Sequence, residues 1–231
     1  MAKKSTDNLI IKTIKEKSTT KLKIYKNTVK AFSDLKQVAK EFAKETQLET
    51  KKFEKDIFIG FNEEGEFEAK LQVAGDMLLF LMHTNIFEFP KEHNIMKSSY
   101  IKKDILRSYC GIIYVYNFLA DSYKYNRTND AGYLVARIFI NKDMHFIVEG
   151  KRQFEFLNNS FISAVIDKKS LRKILETAVL YCLDFDLLLP PYDTVKEVNF
   201  GEMQEYSTNM NFKTGKRLGF RFQADPEETL L

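Results

Sequence analysis

Between Asn27 and Phe53 the apolar side chains return at helical spacing. At ~100° per residue, Val29, Phe32, Leu35, Ala39, Phe42, Ala43 and Phe53 share one broad arc, which predicts a long amphipathic helix. The polar positions divide as well. Lys26, Lys30, Lys36, Lys40, Lys44, Lys51 and Lys55 take one flank of the arc, and Asp34, Glu41, Glu45 and Glu49 take the other. Residues 1–24 are Lys-rich and unpatterned apart from "NLIIKTI", and read as a partly ordered arm.

The pattern then shortens to that of strands. "DIFIGF" and "EFEAKLQV" flank the turn-like "NEEGE", and "DMLLFLMHTNIFEF" follows Ala74-Gly75 and closes at Pro90. A helical connection around "SSYIKKDILRSY" leads to "GIIYVYNFL", and the polar loop "ADSYKYNRTNDAG" leads to "YLVARIFI" and "HFIV". About six strands joined largely by short turns imply an antiparallel sheet, because parallel strands need long crossovers. The last periodic element starts at Asp167, a good N-cap. Leu171, Ile174, Leu175, Ala178, Val179 and Cys182 form its apolar stripe, and Pro190-Pro191 ends it. Its second half, "AVLYCLDFDLLL", is apolar almost all round, which asks for cover on several sides.

These elements predict an α+β fold: one domain over residues 25–206, with an antiparallel sheet of about six strands, a long N-terminal helix and a C-terminal helix packed on the sheet. Residues 207–231 read as a partly ordered tail.

Within this frame, "HFIVEGKRQFEF" admits two readings. Glu149 and Lys151 resemble the Glu-x-Lys pair of metal-dependent nucleases, in which strand geometry puts both side chains on one face beside a metal-binding Asp. Pairing "YLVARIFI" with "HFIV" through Asn141-Lys142-Asp143 sets Ile140 against Met144, Ile138 against Phe146 and Ala136 against Val148. Arg137 then lies diagonal to Glu149, while Asp130 falls about five residues, ~17 Å, away. Gly150 also favours a turn into "QFEF". The turn is the preferred reading.

Composition narrows the classes. The longest charge-free apolar run, "CGIIYVYNFLA", is too short for a membrane helix, and no signal segment is recognisable at the start, so a soluble, cytoplasmic protein without membrane contact is expected. Cys110 and Cys182 stand apart without metal-ligand spacing and read as buried free thiols. No HExxH, GxSxG, GxGxxG or P-loop occurs, so no catalytic residue, metal or cofactor is assigned. The net charge of +4 is uneven, with 15 Lys against 7 acids in residues 1–55.

Two candidate surfaces emerge. Lys36, Lys40 and Lys44 repeat at i, i+4 and i+8, where like charges repel unless an anion relieves them. The loop residues Tyr123, Lys124, Tyr125 and Arg127 mix rings with cations, as single-strand binders do. Together they outline a contact for nucleic acid or an acidic protein. The apolar end of the C-terminal helix suggests self-association as a homodimer through Leu180 and Leu183. The leading expectation is a non-enzymatic binding or scaffold protein, with nucleic-acid binding second and a nuclease built on Glu149 and Lys151 third.

Overall fold

A computed structural model describes residues 2–150, 161–189, 191–201 and 203–204. Helical backbone starts at the N-terminus: α1 (Ala2–Thr13) passes through a π-helical stretch, Ile14–Ser18, into α2 (Thr19–Thr50). The helical backbone therefore begins well before Asn27 and runs through residue 24. It escapes notice in the sequence because every residue from Thr6 to Thr19 is exposed, so no core stripe marks it. From Ile24 onward the expected arc is buried: Phe32, Leu35, Ala39, Phe42 and Ala43 all face the sheet. Phe53 does not. The helix stops at Thr50, so its phase no longer applies, and Phe53 is 76% exposed.

The sheet has seven strands: β1 (Ile59–Glu63), β2 (Glu68–Val73), β3 (Asp76–Met82), β4 (Phe87–Glu88), β5 (Tyr109–Leu119), β6 (Tyr133–Ile140) and β7 (Phe146–Gly150). They run β1-β2-β3-β5-β6-β7, with β4 on the start of β5 and every pairing antiparallel. Two short helices, α3 (Ser99–Lys103) and α4 (Ala120–Lys124), lie before and after β5. The long C-terminal helix α5 (Lys168–Leu183) starts at a capping box in which the Ser170 amide donates to Asp167 Oδ1 at 2.7 Å, and it buries the predicted stripe from Leu171 to Cys182. The fold is thus α+β, as the pattern implied.

Alternation assigns the two faces. Leu71, Leu78, Phe80, Ile113 and Ile138 meet α2 and α5 in the main core. Ile112 and Phe139 point the other way, into a second cluster with Phe89, Ile95, Tyr100 and Phe161. At Gly111 the backbone of β5 approaches α2 so closely that an added Cβ would sit 2.0 Å from Thr28 Oγ1. On the acidic flank of α2, Arg172 of α5 pairs with Glu45 at 2.9 Å and Lys168 donates to Gln37 at 2.6 Å.

The β6–β7 register differs from the sequence reading by two residues. Ile140 faces Phe146, Ile138 faces Val148 and Ala136 faces Gly150. The cause is Asn141, whose Oδ1 accepts from the amides of Asp143 (2.9 Å) and His145 (3.1 Å), while Met144 adopts φ 61. This lengthens the turn. A two-residue shift keeps every side chain on its expected face. It also moves Arg137 from diagonal to directly opposite Glu149, where the Arg137 Nε donates at 2.6 Å. Gly150 is the last residue of β7, and the expected turn into "QFEF" falls on residues that are not described. Lys151, "QFEF" and residues 207–231 lie outside the described residues.

Candidate functional site

At the end of the sheet where β1 starts and β2 stops, three elements meet imperfectly. Gln47 of α2 holds the entry to β1, donating through Nε2 to the Ile57 carbonyl (3.1 Å) and accepting the Ile59 amide at 2.7 Å. Because α2 stops three residues later and α5 runs on to Leu183, a groove of about 480 Å³ stays open between them. Its floor is made by Phe42, Ile57, Ile59, Val73 and Val179, and Phe53, Leu180 and Leu183 form its lip.

The groove contains almost nothing polar. Thr50 Oγ1 donates to the Thr46 carbonyl at 2.8 Å, which leaves its methyl group for the groove. Glu176 is the charged residue among those lining it, and its carboxylate already accepts Arg172 Nε at 2.6 Å. The lip is the reverse of a filled core. Leu180 is 61% exposed and Leu183 46%, on the side of α5 away from the buried stripe. Such a site binds apolar side chains, and it offers no acid, base or nucleophile aimed at a substrate.

The other candidate residues are placed differently. Lys36 is largely buried: its ammonium pairs with Glu63 at 3.0 Å, donates to the Gly65 carbonyl and lies 5.1 Å from the centre of the Phe32 ring. Lys40 and Lys44 are exposed on the same helix. Tyr123 sits on the opposite side of the sheet, its ring 4.6 Å below the Lys70 ammonium and edge-on to Phe118. Lys70 and α2 occupy opposite faces, since the buried neighbours Ala69 and Leu71 face the helix. The structure therefore does not bring the lysine flank and the tyrosine loop together.

Within the loop, the cations and rings that suggested base stacking contact one another. Lys124 lies 4.9 Å and Arg127 5.3 Å from the centre of the Tyr125 ring, and the buried Asp130 carboxylate accepts Ser122 Oγ at 2.6 Å. Tyr123, Lys124 and Arg127 nevertheless line a cleft of about 930 Å³ that shares Ala74 with the apolar groove. Glu149 is occupied by Arg137, and among the described residues no three His, Cys, Asp or Glu converge to hold a metal.

One constellation has no signal in the sequence. Tyr100 is sandwiched between the Arg107 guanidinium, 4.3 Å from its ring centre, and the His145 ring, stacked at 4.9 Å. Its hydroxyl donates to Asp143 Oδ2 (2.9 Å) and accepts from Asn141 Nδ2 (3.0 Å), while Arg107 Nε also donates to Asp143, at 3.0 Å. Burial pushes the phenol up to about 12. Burial also raises Asp143, but hydrogen bonds from Tyr100 and Arg107, with the charges of Arg107 and Lys142, outweigh it and hold the carboxyl below its ordinary value. A protonated phenol donating to an ionised carboxylate is a latch between α3 and the β6–β7 turn. It is not poised to move a proton near neutral pH.

No protein-family model, curated protein or solved structure matches this chain. Among the described residues no helix is long and apolar enough to cross a membrane, and both cysteines are buried free thiols.

Proposed function

We propose that this protein is a non-enzymatic binding or scaffold protein whose working surface is the apolar groove between α2 and α5, and that its partner there is a second copy of itself. The observation that carries this reading is self-complementarity. Leu180, Leu183 and Phe53 protrude beside a concavity of their own chemistry, so a two-fold axis near the lip would place the knobs of each copy against the hollow of the other. Magnitudes limit how tight the lip alone can be. Side chains already partly covered gain roughly 1–2 kcal/mol each on burial, so both copies together supply on the order of 10 kcal/mol. Association costs ~4–15 kcal/mol. A lip-only dimer is therefore weak, and tighter association requires further contact.

Analytical ultracentrifugation from about 1 μM to about 1 mM tests the reading. A reversible dimer whose dissociation constant rises at least tenfold in Leu180→Asp supports it, and a monomer at every concentration refutes it.

A second reading, nucleic-acid binding, is supported by the cleft that Tyr123, Lys124 and Arg127 line, without the lysine flank of α2, which lies across the sheet. It requires binding that weakens steeply with salt, by ~0.7–0.9 in log K per log salt for each phosphate contact. Fluorescence anisotropy with single- and double-stranded DNA and RNA reads this directly.

A further inference from the structure

We infer that the occupant of the groove is the N-terminal helical arm of a second copy, with α1 and the turn after it laid between α2 and α5. This rests on the groove being the association surface. The first observation is the arm itself. Ile10 is 50%, Ile11 64% and Ile14 51% exposed, and at ~100° per residue the three fall within an arc of ~100°, the width of stripe that an amphipathic helix buries. The π-helical stretch Ile14–Ser18 turns more widely than an α-helix and so re-phases this stripe relative to the buried face of α2. Among the described residues the arm's stripe meets no site on its own subunit.

Position excludes the intramolecular alternative. The backbone is helical without a break from Ala2 to Thr50, and Lys17 and Lys21 lie over Tyr109, at the start of β5. The arm therefore leaves the body beyond that end of the sheet. The groove lies at the other end, against residues 42–53, and the ~27 residues from Thr19 to Thr46 separate the two by about 40 Å at ~1.5 Å per residue. An arm can reach a groove only on another copy.

Charge favours the same pairing. Residues 2–18 carry five lysines against Asp7 and Glu16. The groove end carries Glu49, Glu176, Asp184 and Asp186, and the last turn of α5 has no basic residue of its own to meet its negative dipole end. Lys52 pairs with Glu49 at 2.7 Å, Arg172 with Glu176 at 2.6 Å, and Lys51 and Lys55 flank Phe53, so the carboxylates that face the arm's lysines are the exposed Asp184 and Asp186 beside the end of α5. Apolar residues at i and i+4 seated in a hydrophobic groove, with cations near the negative end of α5, are the helix-in-groove mode of recognition. Reciprocal exchange of arms closes the dimer by setting the arm end of each copy against the groove end of the other, an antiparallel arrangement in which the arms, and not the partner's lip, fill the two grooves.

The test uses full-length chains. Ile10→Asp and Ile14→Asp alter exposed arm positions, so the melting curve should match wild type. The dimer dissociation constant should rise at least tenfold for each, as is expected for Leu180→Asp. In a second arm, chains carrying Ile10→Cys alone are mixed with chains carrying Leu180→Cys alone and treated with a short bis-maleimide. A covalent heterodimer is expected, and the buried Cys110 and Cys182 should stay unreacted. If Leu180→Asp weakens the dimer while both arm variants leave it unchanged and no heterodimer forms, the arm inference is overturned and the groove reading stands. If wild type never dimerises, the groove reading falls and takes this inference with it.

Discussion

The two ends of the sheet solve opposite problems. At the end holding the β6–β7 turn, ionisable and hydrogen-bonding groups are abundant, and they are spent on one another: Asn27 on the Asn141 and Lys142 carbonyls, Asn141 on Tyr100, and Tyr100 and Arg107 on Asp143. In the apolar groove at the opposite end there is almost no chemistry, yet large apolar side chains remain in water. Richness in polar residues is thus a poor guide to function here. What marks a working surface is what the fold leaves uncompensated.

That contrast can be broken at the closed end first. Asn141→Ala removes the acceptor for two turn amides and the donor to the Tyr100 hydroxyl, and should cost about 3 kcal/mol in urea denaturation, because several buried partners lose their mate at once. Gly111→Ala should cost about 2 kcal/mol, since the new methyl group must push Thr28 and α2 away from β5. Neither should alter association except through loss of fold. An effect on the dimer in the absence of destabilisation would blur the distinction between the ends.

Acidity sharpens it. Asp143 is held below its ordinary 3.8 in the fold, and so is Asp104, chiefly by its hydrogen bond from Lys142. Their stabilising contribution is complete above the ordinary carboxyl range and disappears as pH falls through the depressed values, so stability should decline as pH drops below about 4. Tyr100 works in the opposite sense. With its phenol raised to about 12, its contribution holds below about pH 10 and is lost as pH climbs from there toward 12. Asp143→Asn should flatten part of the acid limb in pH-dependent melts. The smallest expected effect is at Ala74, which turns between β2 and β3 with φ 53 on the shared rim of groove and cleft. Ala74→Gly relieves a left-handed residue costing ~1–2 kcal/mol but loosens the unfolded chain by somewhat less, for a net gain of about 0.5 kcal/mol.

The two long helices were legible because each carries a stripe of one period through many residues, and the strands because alternation survives on both faces. The β6–β7 register was misread for a local reason: a single side chain, Asn141, lengthens the turn, and turn chemistry of that kind competes invisibly with pairing. The latch was not legible at all, since Tyr100 and Arg107 reach residues about 40 positions away and no spacing announces them. Leu180 and Leu183 did show, as apolar residues outside the buried stripe of α5. The hollow beside them did not, because it exists only where the ends of α2, β1, β2 and α5 fail to fill space. The arm was hidden for the complementary reason that its helix, from Thr6 to Thr19, buries nothing against the described residues.

The most direct test of the central claim is a paired measurement on Leu180→Asp and wild type: chemical denaturation for each, and sedimentation of each over the same concentration range. The expected result is a stability within about 0.5 kcal/mol of wild type, as for an exposed position, together with a dimer dissociation constant at least tenfold higher. A wild-type chain that stays monomeric throughout, or a variant that dimerises as well as wild type, would contradict it.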